Sequence, residues 1–247
     1  MLRHKGKGRT YSHNLKLASL LSGVAGMVNI CGVLALGTLT TNVTGHFAYF
    51  AETLFLQDFS TALVFMIYIL FFLLGAFVSG LLTESVTDRF HTAYLMPLAV
   101  EIVILCAVTA FGEIYYGTDR SPVVALACAL LFAMGLQNAL VTRVSQSVVR
   151  TTHLTGLFTD LGIELAQRLI YRGTAERTRL RKSIFLKLMI IMGFFLGGIA
   201  GGYLYQYFQL RALLLPVGVL LFTLGYDQLL FRFYRLKRKL RSKALEV

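Results

Sequence analysis

Six runs of mainly apolar residues, near 16–39, 61–83, 92–111, 121–141, 184–208 and 212–231, constrain this chain more than any other feature. A helix needs about 20 such residues to cross the hydrocarbon core, and there every backbone polar group must be satisfied within the segment. The chain has 247 residues, 56% of them hydrophobic and only three proline, with a mean hydropathy of +0.68, so little remains for a separate soluble domain. The first run follows a basic N-terminus, as a secretory signal would, but it is about twice as long as the 7–15 residue core of a signal peptide. It is read as a retained span.

A net charge of +12 would suit a nucleic-acid partner if it were spread over a soluble surface. Here it is segregated. Of the 24 Lys and Arg residues, all but Arg120 and Arg211 fall on one side when the N-terminus is placed in the cytoplasm. Membrane proteins keep Lys and Arg in cytoplasmic loops, so both termini are expected inside and no nucleic acid is implied. The basic tail and the basic loop before the fifth span would attract anionic lipid headgroups. Cys31, Cys106 and Cys128 lie within spans, where thiols behave as small hydrophobes, and no disulfide is expected.

One polar phrase occurs twice. "TTNVTGHF" (40–47) returns 111 residues later as "TTHLTGLF" (151–158), matching at Thr40/Thr151, Thr41/Thr152, Thr44/Thr155, Gly45/Gly156 and Phe47/Phe158. In the next helix of each half, "FFLLGAFVSGL" (71–81) aligns with "FFLGGIAGGYL" (194–204) at an offset of 123. The third helices each carry an early proline, Pro97 and Pro216. The change of offset falls at the basic stretch "YRGTAERTRLRKS" (171–183), which reads as an insertion.

The expected fold is therefore an all-α integral membrane protein of six transmembrane helices arranged as a 3+3 inverted repeat, since an odd number of spans per unit turns the second unit upside down. A basic cytoplasmic segment (1–15) precedes the first repeat (16–112). The second repeat (121–233) carries a basic cytoplasmic insert near 165–187, and a basic tail (234–247) follows.

Inverted repeats place solute sites at their interface, formed by interrupted helices. On that ground Thr40, Thr41, Asn42, Thr44 and Gly45 are expected to line one side of a solute site, and Thr151, Thr152, His153, Thr155 and Gly156 the other. Short helices beginning after Thr44 and Thr155 would aim free N–H groups at an anion or a carbonyl-bearing solute. The same residues could instead simply cap the short helical segments that follow them. Asn29, Gln137 and Asn138 add amides within spans, which bridge helices or face solute.

Glu101 sits mid-span with no basic residue at the centre of any span, which suits either a proton-coupling role or a protonated packing contact. Asp227, close to Arg232, can snorkel to water. The glycines at 197, 198, 201 and 202, and Gly75 with Ser79, suit close helix packing and would permit a homodimer. His46 and His153 show no ligand spacing, so neither metal nor cofactor is expected. No nucleophile–base pair suggests an enzyme.

"TLTTNVTGHFAYFAE" (38–52) and "GLQNALVTRVSQSVVRTTHLTGLFTDLG" (135–162) resemble the YoaK-like family of bacterial inner-membrane proteins, domain of unknown function 1275. The resemblance runs from about Leu15 to Phe233. It implies a six-helix inner-membrane protein with a permease role and no stated solute. This chain has His46 and Asn29 where many family members have Asn and an acidic residue. A passive channel and a non-transporting scaffold are the other readings, distinguished by non-saturating flux and by no flux respectively.

Overall fold

The computed structural model describes residues 11–85, 95–115, 122–145 and 151–225. Every regular element among them is helical. These are α1 (Tyr11–Leu36), α2 (Val43–Phe55), α3 (Phe59–Ser85), α4 (Leu95–Ile114), α5 (Val123–Val144), α6 (Leu154–Ile170), α7 (Thr174–Phe208), a 3-10 turn (Gln209–Leu213) and α8, which runs through 214–225. Residues 1–10, Arg89, Arg120, Asp227 and the basic tail lie outside the described residues.

Five helical runs are long and apolar enough to cross a membrane: Ala18–Leu36, Phe59–Glu84, Leu95–Ile114, Val123–Arg143 and Thr174–Gly225. The last covers 52 residues and two of the expected runs. It is divided at Gln209, whose φ of 51° is uncommon for a residue with a side chain and turns the chain out of α7. Arg211 fastens this turn to the end of α4 through Glu113, with Nη2 2.8 Å and Nε 2.9 Å from Oε2. At the other end of the bundle Arg143 pairs with Glu84, joining the ends of α5 and α3.

Two helix pairs organise the interior, α1 on α7 and α3 on α5. Both close at glycine because a backbone takes the place of a side chain. A Cβ on Gly26 would strike the Phe194 carbonyl of α7, and one on Gly135 would strike the Phe72 carbonyl of α3. The partner helices return the contact: Gly197 abuts Gly23, and Gly75 abuts Phe132. Small residues let backbones approach in this way where no hydrophobic drive separates helix from lipid. Of the two overlapping glycine patterns in α7, Gly197 and Gly201 face α1, which is the packing role expected for them.

Leu21, Val24 and Val28 of α1, Leu98 and Leu105 of α4, Met134 and Leu140 of α5 and Leu220 of α8 join in one buried cluster. α1 and α5 are thus the central helices, with α3 and α7 exposing Leu73, Phe77, Phe195 and Tyr203 on the outer surface.

The basic insertion takes helical form. α6 is four residues longer than α2, 17 against 13. α7 starts 20 residues before Phe194, whereas α3 starts 12 before the matching Phe71. The four and the eight account for the dozen residues separating the two offsets. Arg, Lys, Glu and Ala are good helix formers, so extra residues here extend helices and leave the α6–α7 connection at three residues.

Candidate functional site

After Leu36 the chain doubles back along α1. Gly37 takes a φ of 66°, open to glycine without penalty, and Thr40 settles against Gly32. Asn29, two turns below the end of α1, receives the returning chain. Its Oδ1 accepts from the Thr40 amide (3.0 Å), the Thr41 amide (3.3 Å) and the Thr41 hydroxyl (3.0 Å). One side-chain oxygen thereby satisfies backbone donors that no regular ladder reaches.

α2 then starts deep and runs back antiparallel to α3. His46 meets Tyr68 edge-on at 5.4 Å between ring centroids, and Tyr49 stacks on Phe65 at 5.2 Å. Tyr68 lies about 13 Å along α3 from its start, so the first turn of α2 sits about a third of the way along that 27-residue helix. Asn42 caps it by accepting from the Gly45 amide at 3.0 Å, and His46 Nε2 donates to the Leu39 carbonyl at 2.6 Å. Asp58 begins α3 by accepting at Oδ1 from Ser60 Oγ and the Thr61 amide, and hydrogen bonding from the Thr61 side chain, then its amide and Ser60, holds the exposed carboxyl below the usual carboxylate range.

The second copy has the same plan. α6 runs back along α7, tied by Glu164, whose Oε1 accepts from Lys187 Nζ (2.6 Å) and Ser183 Oγ (2.7 Å). That register puts the start of α6 near the middle of α7. His153 occupies the cap position equivalent to Asn42, but its side chain makes no capping bond; its ring lies over Gly156, where a Cβ would collide with it. Gly45 lies likewise under the Asn42 side chain, which explains a glycine at the same place in both copies.

The expected site residues divide by burial. Thr40, Thr41, Thr151, Gln137 and Glu101 are buried; Asn29, Asn138, Gly45, Thr152 and Gly156 are half-buried; Asn42, Thr44, His153 and Thr155 are exposed. Gln137 bridges the central helices by donating Nε2 to the Leu21 carbonyl at 2.7 Å. Several buried polar atoms have no partner among the described residues: the hydroxyls of Thr40 and Thr151, Oδ1 of Asn138, Oε1 of Gln137 and both carboxyl oxygens of Glu101.

Thr40 and Thr151, 111 residues apart, are therefore the same in burial and in lacking a partner. No hydrogen bond joins the two Thr-Gly elements among the described residues, and each is held by its own helix hairpin. Asn29 also lines an open, mainly apolar groove of about 500 Å³ between α1 and α7, with Gly26, Gly198 and Gly202 at its floor and Phe195 and Tyr203 on the outer surface.

One correspondence escaped the sequence reading. Asn29 stands three residues after Gly26, and Asn138 three residues after Gly135, the two glycines that press on the phenylalanine carbonyls. The repeated G-x-x-N was visible in "GMVN" and "GLQN", but its offset of 109 lies outside the alignment built on the threonines. The two asparagines differ in state, since Asn29 Oδ1 is triply engaged and Asn138 Oδ1 is unpartnered among the described residues.

A family model described as protein of unknown function (DUF1275) matches residues 17–226. A curated relative, the UPF0700 transmembrane protein YoaK of Bacillus subtilis (strain 168), is 25% identical over 178 residues, covering 71% of this chain and 77% of that protein. No solved structure matches.

Proposed function

This chain belongs to the DUF1275 family of multi-pass membrane proteins, and on that footing we propose that it is a secondary transporter or permease of a bacterial inner membrane. It moves a small solute, anionic or carbonyl-bearing, without chemical change. The observation that carries this reading is the pair of short helices, α2 and α6, whose N-termini start partway along α3 and α7 beside the buried hydroxyls of Thr40 and Thr151, which have no partner among the described residues. Helices interrupted at mid-depth present free N–H groups and a positive dipole end to solute.

Supporting it, α1 with α7 and α5 with α3 exchange the same glycine–carbonyl contacts, as an inverted 3+3 repeat requires. Glu101, without a cation near it among the described residues, serves as the proton-coupling group.

The test is flux. A thermal-shift screen of small organic anions and amides supplies a solute, and uptake into proteoliposomes is compared with that of Thr40→Val and Thr151→Val. Valine keeps the shape and removes an unpartnered hydroxyl, so a packing role predicts unchanged or higher melting temperature and no loss of function. The transport reading predicts unchanged melting temperature with uptake reduced roughly tenfold or more, the worth of one hydrogen bond to solute. Non-saturating flux would instead indicate a channel, and no flux with any solute a scaffold.

A further inference from the structure

The α6–α7 hairpin carries a basic cleft that the transport reading does not use. Arg168 in the last turn of α6, with Arg177, Thr178 and Arg181 in the first two turns of α7, encloses about 300 Å³. Arg177 Nε donates to the Tyr171 carbonyl at 3.2 Å, which orients the guanidinium and leaves its outer nitrogens without a partner among the described residues. Among the described residues no carboxylate pairs with Arg168, Arg177, Arg181 or Lys182; Glu164, the nearby half-buried acid, is taken by Lys187 and Ser183.

Helix stability does not explain this arrangement. A basic residue at a helix C-terminus, as Arg168 is, complements the dipole. Of the basic residues on α7, Arg177 stands in the first turn, where positive charge opposes it beside Glu176, and Arg181 and Lys182 follow about one turn later, adding to the positive charge of the cleft. An anion seated among them would relieve that opposition and the mutual repulsion of the guanidiniums, and guanidinium is the side chain best matched to a phosphodiester.

A second cavity, of about 490 Å³, shares Arg168, Thr178 and Arg181 with the first and continues along α7 past Ile184, Phe185 and Leu188 to Tyr11 of α1. Phe185 and Leu188 are exposed on the outer surface of the apolar run, where acyl chains lie. A basic head continuous with an apolar groove is the shape of one amphiphile. We infer that this cleft binds a single anionic phospholipid, its phosphodiester held by Arg168, Arg177 and Arg181 and one acyl chain laid along Ile184, Phe185 and Leu188.

The test is native mass spectrometry of the full chain released from detergent with phosphatidylglycerol or phosphatidylcholine. One tightly held phosphatidylglycerol, retained over phosphatidylcholine, is expected. Each basic residue near an anionic surface is worth about fivefold in affinity, so Arg168→Ala with Arg181→Ala should weaken that binding roughly 30-fold. Both side chains are exposed, so the variant should fold, which its melting temperature checks. Arg211→Ala, at the opposite face, should keep the lipid. Equal retention of the two lipids, or binding unchanged in the double variant, overturns the proposal. Inorganic phosphate displacing the lipid at equal concentration also overturns it, because the cleft would then be a site for free phosphate.

Discussion

The side-chain oxygen of Asn29 accepts both the hydroxyl (3.0 Å) and the amide (3.3 Å) of Thr41, and through that residue α1 holds the start of α2 at depth. The Thr40 amide shares the same oxygen. Asn29→Leu strands two part-buried N–H groups and a hydroxyl, and should cost about 2–4 kcal/mol. Asn29→Asp keeps the acceptor and should cost less. Melting temperatures in detergent check the order; a leucine variant as stable as the asparagine protein would remove Asn29 from its role.

The glycine contacts predict an asymmetric tolerance. Leucine at Gly26 or Gly135 meets backbone of the partner helix, which cannot rotate aside, so the α1–α7 or α3–α5 pair must separate. Neither variant should give a monodisperse peak on size exclusion, the loss exceeding the 1–3 kcal/mol usual for overpacking. Gly162 faces open space in α6, so Gly162→Ala should be neutral or stabilise by up to about 1 kcal/mol.

Glu101 is fully buried among apolar helices with both carboxyl oxygens unpartnered among the described residues. Glu101→Gln preserves shape and removes the ionisable proton, so the variant should insert and melt at or above the parent temperature while the pH dependence of solute uptake flattens. An unchanged pH profile would leave Glu101 as a packing residue. Glu101→Lys, with a charge the site cannot pair, should fail to accumulate.

Much of this was legible in the sequence. Apolar run length specified membrane spans because the bilayer offers backbone groups no other partner. The matches at 111 and 123 fall on the two hairpins α2–α3 and α6–α7, and their difference reappears as extra helical turns in α6 and α7. The family resemblance likewise rested on residues that the fold places at the starts of α2 and α6.

Tertiary structure decided what those residues touch. Within "TTNVTG" and "TTHLTG" the sequence treats every threonine alike, yet Thr40 and Thr151 are buried while Thr44 and Thr155 are exposed. That division depends on the direction in which each short helix doubles back. The pairing of Asn29 with Thr41, and the choice of Gly26 and Gly135 for the seams, depend on contacts between segments far apart in the chain or reversed in direction. Hydrophobic periodicity records burial along one helix; it carries no information about which carbonyl of another helix will lie against it.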